Sequence, residues 1–234
     1  MSETLNQATR QAVARLLGVE LSQVTRAVIL AIGGIKGGIG KSTTAMFLAY
    51  VWARLGLKVL VICADPKSGT SRKWARRANG NKDPLPFTVR THPSDDLEDR
   101  ILEEGWDQDY DLIIIDTGGD NERILRAAYR IADRMLLTAS PSPVDIDVLP
   151  DTARTTVGDL GERDIPVSIL LTSVKSDAMA LDAKKEMRSF GLDVLTQTVK
   201  HRLKYQQMYG WTPEGGLDYV AVQHELDNPK EISA

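Results

Sequence analysis

Hydrophobic residues along this chain fall into two patterns that alternate from one end to the other. Short continuous apolar runs, rich in valine, isoleucine and leucine, predict strands that are buried on both faces. Longer segments with apolar residues at three- and four-residue spacing predict amphipathic helices. The predicted strands are Val28–Ile32, Lys58–Ala64, Thr88–Arg90, Leu112–Asp116, Arg134–Thr138 and Val167–Thr172. The predicted helices are Ser42–Leu55, Leu97–Glu104, Asn121–Ala132, Asp145–Leu160 and Ala178–Phe190.

This alternation predicts the fold class. We expect an α/β fold with a doubly wound, mostly parallel sheet and helices on both faces, because buried strands need a helical layer on each side. Ligands of such sheets bind at the carboxyl ends of the strands. Residues 27–234 form one predicted domain. Residues 1–26 are predicted to be a short N-terminal amphipathic helix or extension docked on it, since Leu5, Val13 and Leu16 fall near helical spacing.

Composition narrows the class of protein. The chain has 234 residues, 42% of them hydrophobic, and a net charge of −3, so binding to nucleic acid would need a local basic patch. A single cysteine, Cys63, excludes an internal disulfide and a CxxC metal or cluster site within the chain. No apolar run approaches the roughly 20 residues that span a bilayer, and the first residues do not resemble a secretory signal. We therefore expect a cytoplasmic protein.

A glycine-rich segment, GGIKGGIGKST at residues 33–43, lies between the first predicted strand and the first predicted helix. Glycines let the backbone approach phosphate oxygens closely, and the free N–H groups at a helix start attract anions. We expect Lys41 to reach the β- and γ-phosphates of a nucleotide, Ser42 to ligate Mg²⁺, and Thr43 to lie near the α-phosphate. The predicted nucleotide-binding residues of this loop are Gly37, Gly38, Ile39, Gly40, Lys41, Ser42 and Thr43.

The residues KGGIGKST differ from the general phosphate-loop pattern G-x-x-x-x-G-K-S/T, which has glycine where this chain has Ile35. They resemble the deviant Walker A motif, K-G-G-x-G-K-S/T-T, of the ParA/MinD group of P-loop ATPases. The resemblance is to small plasmid-type ParA partition ATPases without an N-terminal helix-turn-helix domain. It implies ATP and Mg²⁺ as cofactors, and a homodimer formed on ATP binding. In that dimer Lys36 would reach the partner's phosphates, so Lys36 and Lys41 are both implied to be catalytic.

Two further strand ends extend the resemblance. The segment VLVICADPKSGTS is similar to the family pattern D-x-D-P-Q, which implies that Asp65 positions the attacking water as a third catalytic residue. Cys63 replaces the first aspartate of that pattern, and we expect it to be a small buried hydrophobe. The segment YDLIIIDTGGD resembles a Walker B strand, which implies that Asp116 and Ser42 together form the magnesium site.

Two later segments resemble ParA proteins less closely. The segment LLTASPSPVDIDVL resembles the P-x-x-P-S-P-x-D segment of ParA proteins, which implies a capped helix start that also helps form the dimer face. Thr172 and Ser173 follow the sixth predicted strand, where ParA proteins hold adenine. No guanine-selective motif is recognisable, so the choice of ATP follows from the resemblance.

ParA proteins of plasmids and chromosomes bind double-stranded DNA non-specifically and are stimulated by a centromere-binding ParB-type partner. A phosphate-binding surface of this kind needs exposed lysines and arginines, although charge runs are more often solvated faces. One basic cluster, Arg72, Lys73, Arg76 and Arg77, could equally respond to a partner protein. The predicted nucleic-acid residues are those of two later clusters: Lys184, Lys185, Arg188, Lys200, Arg202 and Lys204.

The resemblance thus implies an ATP-dependent DNA partition ATPase, cytoplasmic and associated with the nucleoid, that releases DNA on hydrolysis. Two alternatives stay open: a related ATPase that positions a protein cargo, and a small-molecule metabolic enzyme on the same fold. A MinD-like membrane switch would need a basic amphipathic helix near the end of the chain. That segment is acidic here and is interrupted by Pro229, so no membrane partner is expected.

Overall fold

The computed structural model of the protein describes residues 26–34, 36–119, 121–148 and 165–228. Its strands are β1 (Val28–Gly34), β2 (Val59–Cys63), β3 (Thr88–Thr91), β4 (Leu112–Asp116), β5 (Arg134–Ala139), β6 (Val167–Val174) and β7 (Asp193–Lys200). They form one sheet in the order β3-β2-β4-β1-β5-β6-β7, and every neighbouring pair is parallel. β1 therefore lies at the centre, where the chain turns from one half of the sheet to the other.

Helices cover both faces of this sheet. They are α1 (Lys41–Arg54), α2 (Thr70–Gly80), α3 (Leu97–Glu103), α4 (Trp106–Asp109), α5 (Glu122–Ile131), α6 (Asp177–Ser189), α7 (Leu203–Gln207) and α8 (Leu217–Asp227). Residues 143–148 are also helical. All residues of β1, β2, β4 and β5 are buried, which explains why these strands read as continuous apolar runs.

Each face of the sheet has its own hydrophobic core. Side chains of α3, α4, α5 and α6 form the core on one face. On the other face, α1, α2, α7 and α8 share an aromatic cluster. In that cluster Phe47 stacks on Tyr219 at 4.9 Å between ring centroids, while Tyr205 and Trp74 meet Phe47 edge-on. The helices on this face are thereby packed against one another around Phe47.

The predicted fold class is confirmed, and all six predicted strands occur with ends shifted by at most two residues. β7, α2, α4, α7 and α8 were not predicted. β7 has only three apolar residues among eight, and α2 contains four cations among 11 residues, so neither has a strong apolar pattern. The predicted N-terminal helix and residues 149–160 of the predicted helix Asp145–Leu160 lie outside the described residues. Among the helices that are described, none is long and apolar enough to cross a membrane.

Candidate nucleotide site

The phosphate loop connects β1 to α1 at the carboxyl edge of the sheet. Gly38 (φ 80°) and Gly40 (φ 83°) adopt left-handed backbone conformations that favour glycine. Gly40 immediately precedes α1, no side chain caps the first turn of that helix, and the turn contains no acidic residue. Its N–H groups are therefore open to an anion, and the backbone of this segment is suited to bind a phosphate group.

The two lysines of the loop lie in different environments. Lys41 is buried, and its Nζ donates a hydrogen bond to the Lys36 carbonyl oxygen at 2.6 Å. The Lys36 side chain is 50% exposed and forms an ion pair with Asp145. Burial raises the pKa of Asp145, but the bonds from Lys36 and Ser140 outweigh that effect and hold it below its ordinary value. A carboxylate of its own chain thus holds Lys36 at the rim of the loop.

Asp116 lies at the end of β4 beside the phosphate loop and is fully buried. Ser42 Oγ donates to its Oδ1 at 3.2 Å, and Ser71 Oγ, in the first turn of α2, donates to its Oδ2 at 2.7 Å. Burial raises the pKa of Asp116 to about 6, although the two hydroxyl groups and Lys41 lower it. Sequence reasoning did not find Ser71, because its partner lies 45 positions away in the chain.

The oxygen atoms at this point fit Mg²⁺. Mg²⁺ is usually held by one or two protein oxygens, with water and nucleotide phosphates as the remaining ligands. The Ser42 hydroxyl and the Asp116 carboxylate face each other in this way. Within the described ranges, no group of three or more His, Cys, Asp or Glu side chains could hold a metal ion. Ser42 and Asp116 would hold the magnesium ion or its water, and the ion would neutralise phosphate charge. Ser71 would orient the carboxylate of Asp116.

Asp65 follows β2 at the same edge of the sheet. Its carboxylate accepts hydrogen bonds from the N–H groups of Lys67 and Ser68 at 2.8 and 3.1 Å, and from Ser68 Oγ. Partial burial raises the pKa of Asp65, but these hydrogen bonds outweigh it and hold the pKa below its ordinary value. In this conformation the carboxylate is bound to residues of its own loop, so the predicted role of orienting a water molecule would require it to turn away from Ser68. The preceding Cys63 is buried, as predicted.

Two glycines after β4 bring that segment onto the phosphate loop. A side chain on Gly119 would lie 2.7 Å from backbone atoms of Lys36 and Gly37. One on Gly118 would lie 3.1 Å from Asp65 Oδ1. The backbone can approach so closely only because both positions are glycine. The segment therefore contacts the phosphate loop and Asp65 together, as a switch that responds to the γ-phosphate would require.

Thr172 and Ser173, predicted to hold the base, occupy different positions at the end of β6. Thr172 is buried and its Oγ1 donates to the carbonyl oxygen of Ile39 at 2.7 Å, so it supports the phosphate loop. Ser173 is exposed and has φ 55°, which is uncommon for a residue with a side chain. The register between β6 and β7 shifts at this point, as at a β-bulge.

A pocket opens beside the phosphate loop, between the ends of β6 and β7 and the helices α7 and α8. Thr43, Thr172 and Ser173 line its inner side, next to Gly38 and Gly40. The base and ribose of a nucleotide bound to the phosphate loop would enter this pocket. Sequence reasoning missed its outer wall, which consists of Lys200, His201, Arg202, Tyr205, Gln206 and Tyr219.

Asp218, in the first turn of α8, fixes that outer wall. Its carboxylate accepts hydrogen bonds from the Lys200 N–H at 3.0 Å and the Tyr205 hydroxyl at 2.8 Å. Arg202 donates to it twice, at 3.0 and 3.2 Å. Partial burial raises the pKa of Asp218, but Arg202, Tyr205 and the Lys200 N–H outweigh it and hold the carboxylate below its ordinary pKa. One carboxylate therefore holds the chain from β7 into α7 against the pocket.

The six cations predicted to bind DNA lie on α6, at the end of β7, and in or just before α7. Lys200 and Arg202 line the nucleotide pocket, and each pairs with a carboxylate, Asp177 and Asp218 respectively. Lys184 and Arg188, on α6, donate to backbone carbonyl oxygens of β7. Their role in DNA binding stays a prediction, and Lys200 and Arg202 line the pocket beside the phosphate loop.

The remaining two predicted DNA-binding cations are less engaged. Lys185 lies 3.8 Å from Asp182 on the same helix, with both side chains mostly exposed. Lys204, in α7, has no ion pair within the part of the chain that the structure describes. Lys185 lies on the same helix as Lys184 and Arg188, and Lys204 lies in the helix that follows Arg202.

Comparison with known proteins supports a nucleotide-binding site at this position. The sequence matches the ATPase MipZ family over residues 28–161. It is 28% identical over 213 residues, 85% of this chain and 94% of the relative, to the maintenance of carboxysome distribution protein A of Gloeobacter kilaueensis. It is 30% identical over 122 residues, 51% of this chain and 52% of the relative, to protein ParA of Rhizobium radiobacter. Its fold is similar to that of the septum site-determining protein MinD of Pyrococcus horikoshii, complexed with Mg-ADP. That similarity has a TM-score of 0.66 and 16% identity, and it covers 89% of this chain and 99% of that chain.

The parallel sheet, the glycine loop with its two lysines and the Asp116 strand end define a P-loop ATPase of the ParA/MinD group. The resemblance inferred from residues 33–43 is confirmed. Because the family match covers more than half of the sequence, the chain belongs to the ATPase MipZ family.

Proposed function

We propose that this protein is an ATP-driven positioning switch that closes into a homodimer on ATP and binds double-stranded DNA without sequence preference. Hydrolysis then opens the dimer and releases the DNA. The observation that carries the proposal is the position of Lys36, half exposed at the rim of the phosphate loop while Lys41 occupies its interior. A second lysine at the rim would bind a phosphate outside its own loop, which a nucleotide in a facing protomer would supply.

The chemistry of the proposed cycle needs few groups. Lys41 and the backbone of residues 37–43 would bind the phosphates, while Ser42 and Asp116 would hold Mg²⁺. Asp65 would orient the attacking water after its carboxylate leaves Ser68. Phosphoryl transfer depends mainly on such positioning and on charge neutralisation, so no strong base is required. ATP and Mg²⁺ are accordingly the proposed cofactors.

The cargo that we propose is a plasmid or chromosome, linked to the switch by a centromere-binding ParB-type protein. The similarity to protein ParA of Rhizobium radiobacter supports this cargo, although it covers about half of each chain. DNA binding would place the protein on the nucleoid.

A protein cargo is a second candidate. It is favoured by the similarity to the carboxysome distribution protein of Gloeobacter kilaueensis, which extends over 94% of that relative. The two candidates differ in the partner protein. A partition partner binds a specific DNA site, whereas an adaptor for a protein cargo binds the cargo itself. Measuring ATP hydrolysis with each candidate partner, with and without its DNA site, would separate them.

Fluorescence anisotropy with a random-sequence duplex tests the DNA component. Binding would be measured with ATP, with ADP and without nucleotide across a salt series, using Asp65→Ala to slow hydrolysis. We expect tight binding with ATP alone, and a steep decrease with salt because phosphate contacts release counterions. Absence of binding in every nucleotide state, with an ATP dimer confirmed by sedimentation, would contradict the DNA component.

A further inference from the structure

Helix α2 concentrates positive charge. Residues 66–92 contain seven lysines and arginines and a single aspartate, although the whole chain carries a net charge of −3. Four of these cations, Arg72, Lys73, Arg76 and Arg77, are exposed on α2, and we call them the α2 basic face. At positions i, i+1, i+4 and i+5 they lie on one side of the helix.

The charges of this face are not balanced within the described residues. None of the four side chains forms a hydrogen bond or an ion pair there, and Arg77 alone has an aromatic contact, 5.2 Å from the ring centre of Tyr209. Arg72 with Arg76, and Lys73 with Arg77, are like-charge pairs at i, i+4, which disfavour a helix. Arg72 and Lys73 also lie in the first helical turn, where the helix dipole disfavours cations. A polyanion bound to this face would relieve all of these repulsions.

The buried side of α2 is fixed to the rest of the protein. Trp74 Nε1 donates to the carbonyl oxygen of Trp211 at 2.7 Å. Just after the helix, the side-chain amide of Asn81 donates to the carbonyl oxygen of Gly210, also at 2.7 Å. A side chain on Gly210 would lie 2.8 Å from Arg77 Cβ, so the backbone packs closely against the helix. The α2 basic face is therefore a preformed surface.

Helix α2 is also connected to the nucleotide site. It begins directly after the Asp65 loop, and the buried Ser71 donates to Asp116 Oδ2 at 2.7 Å. Ser71 immediately precedes Arg72 in the chain, so a change at Asp116 reaches the α2 basic face through one hydrogen bond. This link gives the face a route by which the bound nucleotide can alter its position.

We propose that the α2 basic face is the surface that binds the phosphates of double-stranded DNA. This proposal rests on the DNA-binding function proposed above and gives that function a location. DNA is favoured over a membrane because the exposed residues of α2 are polar or charged, and membrane-surface helices need an apolar face. It is favoured over an acidic protein because a protein-binding helix usually presents an apolar or aromatic anchor, and the exposed side of α2 has none.

The test compares two matched double variants of the full chain. Lys73→Ala/Arg76→Ala removes two charges from the α2 basic face, and Lys184→Ala/Lys185→Ala removes two charges from α6. Binding to a random duplex of about 60 base pairs would be measured with ATPγS and with ADP, from about 50 to 300 mM salt. Nucleotide binding, DNA-independent hydrolysis and thermal unfolding would be measured on the same proteins to show that both variants are folded.

We expect the α2 variant to bind DNA at least about tenfold more weakly at about 100 mM salt. The slope of log K against log salt should decrease by about two, since each phosphate contact contributes about 0.9. The α6 variant should keep the wild-type slope. The charge-preserving double variant Lys73→Arg/Arg76→Lys should also keep the wild-type slope, because both positive charges remain.

Three results would overturn the assignment, and they have different meanings. If the α6 variant loses affinity and the α2 variant keeps the wild-type slope, the DNA surface lies elsewhere and the proposed function stands. If the wild type binds no DNA in any nucleotide state, the DNA component of the proposed function fails as well. If the wild type binds phosphatidylserine vesicles and the α2 variant does not, the face belongs to a membrane.

Discussion

Two regions of this protein carry clusters of lysine and arginine, and they differ in what surrounds the charges. In the region of α6, β7 and α7, most cations are bound to carboxylates or carbonyl oxygens of the same chain, including Arg202 with Asp218. On the α2 basic face the four cations have no such partners among the described residues. The first region uses most of its charges in contacts within the protein, and the second presents them to solvent.

This difference shows why the number of cations in a segment does not locate a nucleic-acid surface. An engaged cation has already exchanged its hydration for a protein partner, so a phosphate must displace that partner to bind. A cation that is only hydrated can bind phosphate and release counterions at once. The experiments below test whether the two regions have separate roles, in order of decreasing expected effect.

The largest effect should follow from removing the carboxylate that holds the pocket wall. Asp218→Ala leaves Arg202, Tyr205 and the Lys200 N–H without their shared acceptor. We expect the dissociation constant for ATP to rise about tenfold, which corresponds to about 1.4 kcal/mol. Calorimetric titration with ATP measures this, and Asp182→Ala, which removes the distant partner of Lys185, is the matched control.

The same variant sharpens the comparison of the two regions. At saturating ATP, Asp218→Ala should keep the wild-type salt slope for DNA, because the α2 basic face is unchanged. A reduced slope under those conditions would mean that the cations near the pocket contact DNA as well, and the separation of roles would be wrong.

The sequence predicted the sheet and the phosphate loop well for a physical reason. Buried parallel strands must be apolar throughout, and a phosphate loop needs glycines and lysine at fixed spacing, so both leave local patterns. Helix α2 leaves no such pattern, since Ser71, Trp74 and Ala78 are its only buried residues and cations occupy much of the rest.

The outer pocket wall could not be predicted for a different reason. Its parts come from β7, α7 and α8 and are joined by Asp218, which lies 13 residues from Tyr205 and 18 from Lys200. Hydrogen bonds between such distant residues depend on tertiary packing and have no local sequence signal. The prediction that cations of this segment bind DNA was made from the sequence, without knowledge of these partners, and it stays a prediction.

A smaller effect is expected at the link between the two regions. Ser71→Ala removes the hydrogen bond between α2 and Asp116, so the α2 basic face should respond less to the bound nucleotide. We expect the ratio of DNA affinities with ATPγS and with ADP to fall about fivefold, an effect of about 1 kcal/mol. Ser71→Thr keeps the hydroxyl and should retain most of the ratio. An unchanged ratio in Ser71→Ala would show that the nucleotide acts on DNA binding through the dimer interface alone.

Release of Lys36 should have a more modest effect. Asp145→Asn removes the negative charge that holds this lysine in its own protomer, while an amide oxygen can still accept from Ser140. We expect half-maximal dimer formation at an ATPγS concentration about threefold lower, measured by sedimentation velocity. Adding Lys36→Ala to this variant should abolish the gain. If Asp145→Asn instead weakens the dimer, Asp145 aligns the lysine for the partner and does not restrain it.

The smallest effect concerns the far end of α8, where Asp227 offers a contrast to Asp218 on the same helix. Asp227 accepts a hydrogen bond from Trp52 Nε1 at 3.3 Å and has no ion pair among the described residues. Burial raises its pKa to about 6, against the lowering effects of Trp52, His224 and Arg134. Its pKa is thus higher in the folded than in the unfolded chain, so the folded state binds this proton more tightly.

That shift predicts the pH dependence of stability. The contribution of Asp227 to the free energy of unfolding is present below about pH 4 and is lost as the pH rises towards about 6. Asp227→Asn should therefore raise the free energy of unfolding at about pH 7.5, by less than about 1 kcal/mol because water screens part of the charge. It should give no gain at about pH 4, where the wild-type group is protonated. Denaturant unfolding at both values measures the difference. Equal gains at both would show that the amide stabilises the helix end by hydrogen bonding, independently of charge.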